Sequence, residues 1–359
     1  MYKFVFNCKK TTCFTAIIFL SVSVILFGCQ KEEDKNTRIN NNEELIISLY
    51  DNEGKSSIVG LDVEENVEKE LVNNEEVWLH GALSGNKQYL AYTSAKGDGP
   101  WDIYLLDIHN KKSYQVTNDT LGQLHPRFSD REGKIIYSEI IGPSFPVSKI
   151  AKVDVQKKDS IVLDTEQADR AVELYDISGN KIIGAFVSEE ENTARWVAAN
   201  EDGGTLEQIL YSIYEMNLDG SDMHLITSVK AINMDSIAYG PDGNSIILGG
   251  ENVGEDEGSG IYQLSLTDQT LTTILTDQMI KENRNPILSE IGQRRSAVLS
   301  KNQRFIYFTG IPKNVDEVNF AGIISNIRCI YRYDLGNHEI KKVYEYKRPA
   351  IITDLTVTY

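Results

Sequence analysis

The chain has 359 residues, with 53 acidic against 36 basic side chains and a formal charge of −17. Such a surface repels phosphate backbones and anionic headgroups, which disfavours nucleic acid as a partner. At this length the chain can bury one large core in a closed repeat fold, or two smaller ones.

In chain order, the first element is an address. Lys3, Lys9 and Lys10 lead an apolar run over residues 11–28, the layout of a secretory signal. Its 18 residues stand at the short edge of what spans a bilayer, which leaves an uncleaved anchor as the alternative. Leu26-Phe27-Gly28-Cys29 resembles a bacterial lipobox. That resemblance implies cleavage after residue 28 and acyl chains, palmitate among them, on Cys29. Gln30-Lys31-Glu32-Glu33-Asp34 is similar to the acidic tag of surface-exported lipoproteins of Bacteroidota. Together they imply an outer-membrane lipoprotein, on the cell surface or the periplasmic face, with several acyl chains giving stable anchoring.

Loss of residues 1–28 removes three lysines and leaves 33 basic against 53 acidic side chains, a charge of −20. Cys8 and Cys13 leave with it, so Cys329 stands alone and no intrachain disulfide is expected. Residues 29–43 have almost no apolar content and read as a solvated tether. The folded domain is expected over residues 44–359.

Within it a strand that ends in an Asp-like residue returns six times. The copies are Ile58 to Asp62, Ile103 to Asp107, Ile150 to Asp154, Ile213 to Asn217, Ile261 to Ser265 and Ile330 to Asp334. Five of the six follow a polar turn and a second apolar strand, as in "LSGNKQYLAY" (83–92) and "YGPDGNSIILG" (239–249). Gly, Asn and Asp suit such turns because they tolerate a left-handed backbone. The strands after them are β-branched and aromatic, as a half-buried pleated surface requires. Each unit therefore reads as about four short strands, the spacing of a propeller blade. The first unit lacks a leading strand and the chain's end, Ile351 to Tyr359, supplies one. The expectation is an all-β, six-bladed propeller of four-stranded blades, closed by pairing the C-terminal strand with the N-terminal blade.

The segments "HPRFSDREGKIIYSE" (125–139), "WDIYLLDIHNKKSYQVTND" (101–119) and "YGPDGNSIILGG" (239–250) resemble the repeats of TolB-type six-bladed propellers. The resemblance implies that fold over residues 44–359. It leaves function open, because the fold hosts scaffolds, receptors and a few lyases.

Blade geometry sends the long insertions, 139–149, 188–208, 250–260 and 309–328, to one face of the disc. Trp101, Phe145, Trp196 and Phe320 lie in or beside them. They are candidate ligand-binding anchors, or else pins that hold each loop on its blade. His80 and His125 fall at the same blade position, near the central channel, where other blades have Leu174, Ser236 and Ser296. The resembling lyases place a metal-bound histidine cluster there. Two imidazoles and an out-of-register Asp235 are too few for a metal site, so no metal or other cofactor is assigned. Arg294 and Arg295 either receive an acidic ligand or offset the local acidic excess. No nucleophile elbow, phosphate loop, dinucleotide fingerprint, HExxH or CxxC occurs, so no catalytic residue is assigned. The expected function is a non-enzymatic, monomeric binding scaffold that takes an envelope protein or other ligand through its loop face. The alternatives are a surface glycan-binding protein that stacks sugars on Trp101 and Trp196, and a metal-dependent lyase-like propeller.

Overall fold

The structure is a computed structural model that describes residues 43–75, 80–95, 100–118, 120–142, 145–291, 297–320, 322–345 and 349–358. Its strands form six antiparallel sheets arranged as the blades of a ring. Blade one is Gly81–Leu83, Tyr89–Ser94, Asp102–Asp107 and Lys112–Gln115, from the inner strand outward. Blade two runs from Gly122–Phe128 through Ile135–Gly142 and Phe145–Asp154 to Asp159–Val162. Blade three is Arg170–Ser178, Lys181–Ser188, Ile209–Asn217 and His224–Ala231. Blade four is Asn233–Tyr239, Ser245–Glu251, Ser259–Ser265 and Leu271–Thr276.

In blade five the inner position is shared by Leu288–Ile291 and Ala297–Leu299, both paired with Phe305–Pro312. Cys329–Asp334 and Ile340–Tyr344 complete that sheet. Blade six joins the two ends of the domain. Ala350–Thr358 is its inner strand and pairs with Glu44–Asp51, followed by Ser56–Asp62 and Val67–Glu75. The expected closure is therefore observed, and all six copies of the sequence repeat are third strands. No helix among the described residues is long and apolar enough to cross a membrane.

Side chains alternate across a strand, so a blade buried on both sides must be apolar at successive positions. Glu44–Asp51 shows this directly. Leu45, Ile47 and Leu49 pack with Val298, Tyr307 and Ile330 of blade five. Ile46, on the other side, packs with Leu83, Leu90 and Tyr92 of blade one. The same division repeats round the ring, so the core is a set of layers between blades.

The Asp that ends the repeat also has a local cause. Asp62, Asp107, Asp154 and Asp334 each accept a bond from a backbone N–H two or three residues on, which closes the hairpin to the fourth strand. Four residues after the motif's end the backbone turns left-handed, at Asn66, Lys111, Lys158, Gln269 and His338.

The connections between second and third strands share one face of the ring with those between blades; we call it the insertion face. Turns between first and second strands, and between third and fourth, share the opposite turn face. The described chain begins on the turn face. There Glu43 accepts bonds from the Lys301 N–H at 2.6 Å and the Tyr307 hydroxyl at 3.1 Å.

The insertions are more regular than the expected loops. Residues 139–149 are mostly strand, with Phe145 paired to Gly142 across the hairpin end. Within 309–328 a ribbon forms from Glu317–Phe320 and Ile323–Asn326. Within 188–208 a 14-residue helix spans Glu189–Asp202.

Candidate functional site

Four inner strands break register at one level. The pairing slips between Leu124 and Arg127, Val172 and Leu174, Met234 and Ser236, and Ile352 and Asp354. Each slip is a β-bulge, which re-aims side chains beside it. His125 stands at the first, with a left-handed φ of 49° directly before Pro126. A residue before proline favours extended backbone, so this conformation is imposed by its surroundings. The Tyr175 hydroxyl donates to the His125 carbonyl at 2.6 Å and fixes it.

This conformation brings His125 onto His80. Both are buried, with ring centroids 3.9 Å apart and planes inclined by 63°. His125 Nδ1 lies 2.6 Å from Glu139 Oε2, and Glu139 Oε1 accepts the Ser148 hydroxyl at 2.9 Å. A buried polar line thus runs from blade one into blade two, at the insertion-face end of the channel. Among the described residues no group of three or more His, Cys, Asp or Glu is placed to hold a metal ion.

Deeper in the channel, Arg127 of blade two lies 3.9 Å from Asp176 of blade three and 3.8 Å from Asp354 of blade six. Asp176 also accepts the Tyr239 N–H of blade four at 2.8 Å. Burial pushes the Asp176 carboxyl above the usual range while the Arg127 guanidinium pulls it back. One arginine therefore ties three blades across the axis, and a fourth is joined through Asp176.

The helix Glu189–Asp202 is the longer of the two helices among the described residues. Ser188 caps it by accepting the Glu191 N–H, and Gly203 ends it with a left-handed φ of 59°. Glu189, Glu190 and Glu191 fill the first turn, where the helix dipole favours negative charge. Its inward stripe is narrow, Asn192, Arg195 and Ala199, and only Arg195 is buried. The Arg195 guanidinium donates to the carbonyls of Glu207 at 2.9 Å and Ile232 at 2.6 Å, and to Asn192 Oδ1 at 2.9 Å. Trp196, on the flank of that stripe, and Val197, on the far side, are 49% and 48% exposed.

The other sequence candidates disperse. Trp101 is half-buried, and its carbonyl accepts the Gln123 N–H at 2.7 Å. Phe320 is fully buried against Tyr50 and Ile351, where it holds the ribbon of blade five onto blade six. Phe145 starts the third strand of blade two, and its side chain lies outside the described residues. Arg294, Arg295 and Cys29 also lie outside them. Glu139, Arg127 and Arg195 were not singled out in the sequence. For the helix a signal was present: Ser188 with Glu191 has the spacing of a capping box, and Gly203 marks the stop.

No family model and no curated protein matches the chain. Solved structures match its fold. TolB from Acinetobacter baumannii superposes with a TM-score of 0.62 at 12% identity, covering 88% of this chain and 66% of that one. This chain thus spans just under two thirds of that protein. A chain of a nidogen/laminin complex gives 0.57 at 9% identity, covering 89% and 99%. A TolB-like protein from Agrobacterium tumefaciens gives 0.52 at 10% identity, with the same two coverages. At such identities the likeness defines the fold, and the fold is a six-bladed β-propeller. Its particular form is the TolB type, closed by the C-terminal strand.

Proposed function

We propose that the chain is a non-enzymatic binding scaffold, anchored through lipid on Cys29 to the outer membrane, which recognises an envelope protein through its insertion face. One observation carries this reading. The helix Glu189–Asp202 contributes little to the core, yet it is fixed by a buried arginine and presents Trp196 and Val197 to solvent. A large aromatic on a rigid element makes an efficient anchor, because little conformational freedom is lost when it is covered. Ile141, Met279 and Ile324 are also exposed on that face. A glycan platform built on Trp101 and Trp196 is less well supported, because Trp101 is half-buried.

The test is affinity capture from detergent-extracted envelope with the mature chain carrying Cys29→Ser. A second bait has residues 190–206 replaced by a short Gly/Ser link. A protein retained by the first and lost from the second is the expected result; equal retention by both would remove the helix from the site. The anchor is tested separately by fractionation of cells. Cys29→Ala should move the chain from the membrane to the soluble fraction, and continued sedimentation with membranes would refute lipid anchoring.

A further inference from the structure

The proposed recognition helix has a distinctive electrostatic setting. Three connections meet at it: residues 163–169 from blade two to three, 188–208 within blade three, and 252–258 within blade four. They are joined by specific bonds. Asp169 accepts the Glu189 N–H on its carbonyl and the Glu190 N–H on its carboxylate, and it also receives the Ser188 hydroxyl. At the other end Gln208 Nε2 donates to the carbonyls of Asn252 and Gly254.

These three segments contain twelve acidic side chains and one basic one. The basic one is Arg195, which is turned inward onto carbonyls. Asp164 pairs with Arg170 and Asp169 caps the helix, whereas Glu190, Glu191, Glu201 and Glu207 are exposed. On the helix surface Glu190 and Glu201 lie a turn or two from Val197, on the same side. The turn face, by contrast, mixes both signs, with Lys87, Lys157, Lys158 and Lys301 among its acids.

We infer that the unpartnered helix face around Trp196 and Val197 receives a lysine- or arginine-rich protein segment that also carries apolar side chains; this rests on the binding-scaffold reading above. Charge complementarity selects the occupant. An apolar centre with an anionic surround repels an acidic segment, and it steers and orients a cationic one. Attraction of this kind is screened as salt rises, while the Trp196 contact is not.

The test uses the mature Cys29→Ser chain and two labelled peptides, one alternating lysine with leucine and one alternating glutamate with leucine, followed by fluorescence anisotropy. At about 50 mM salt, where screening is weak, the cationic peptide should bind and the anionic one should not. Trp196→Ala leaves the charge unchanged and should weaken the cationic peptide about tenfold, as loss of an anchor does. Glu190→Gln with Glu201→Gln should weaken it several-fold and flatten its salt dependence. Glu64→Gln with Glu65→Gln removes the same charge from exposed positions on the turn face and should change nothing. If the two paired variants behave alike, or Trp196→Ala has no effect, the attraction is diffuse and the inference fails. Failure of both peptides to bind also overturns it, and leaves the capture experiment to judge the scaffold reading. Binding of the anionic peptide through Trp196 would overturn the charge inference alone and leave the recognition face standing.

Discussion

Asp277 shows how much one buried carboxyl does in this ring. It accepts the Ser259 N–H of blade four at 3.0 Å and the Ile291 N–H of blade five at 2.7 Å. Burial raises its pKa and the two N–H bonds oppose that rise. The folded chain therefore takes up this proton at a higher pH than the unfolded chain. As pH falls from neutrality through the folded value, protonation relieves the burial cost. Melting curves of wild type and Asp277→Asn should thus shift in favour of the wild type between pH 7 and about 4, and a pH-independent difference would contradict the assignment. The turn aspartates have the opposite sign. Bonds from Ser265 and Thr270 hold Asp268 down at about 2, and Arg304 lowers Asp334. Their contribution is present above the ordinary aspartate pKa and is lost as pH falls through the folded value. Glu139 tests the channel mouth. Glu139→Ala removes the carboxylate beside His125 and should cost about 1–3 kcal/mol in denaturant unfolding; a neutral result would mean that water replaces it fully.

At the scale of the element, the hairpins and the helix make different demands. A left-handed residue with a side chain costs roughly 1–2 kcal/mol, partly offset by the lower chain entropy of a non-glycine residue. Gln269 is exposed with φ 60° in the third-to-fourth turn of blade four. Gln269→Gly should raise the melting temperature by a few degrees, and a fall would show that the turn is not under strain. Arg195→Met should lower stability by about 1–3 kcal/mol, since the Glu207 and Ile232 carbonyls lose their donor. It should also weaken capture of the partner, because the helix then loses its fixed orientation. Strands were legible because their cause is local: two-residue alternation, turn residues and a closing Asp. The helix is hard to see in the sequence because its buried stripe is one arginine between a polar and a small residue, with no apolar periodicity. Only the cap residues Ser188, Glu191 and Gly203 announced it.

Across the whole molecule, stability depends on layers between blades, and each layer needs both neighbours. Leu355 of the closing strand is buried in the layer shared by blades five and six. Leu355→Ala should therefore cost about 2–5 kcal/mol. Removal of residues 350–358 should abolish cooperative unfolding, because it exposes that layer and the edge of Glu44–Asp51 together; a sharp transition in the truncated chain would refute ring closure as a requirement. The closure was legible because the leading repeat lacked a strand and the chain's end had one to spare. The repeat register alone places His80 and His125 at one shared blade position. It does not place the carboxylate Glu139, because side chains on neighbouring strands meet only once the strand pairing is fixed. Arg127 was out of reach for the same reason, since Asp176 and Asp354 approach it only across the closed ring. The Glu43 contacts at the turn face have a mechanical consequence. Glu43, directly before the strand Glu44–Asp51 of blade six, is clamped by Lys301 and Tyr307 of blade five. A pull on that strand is therefore shared by two blades, and the ring is latched by side chains at the same seam that its closing strand shuts.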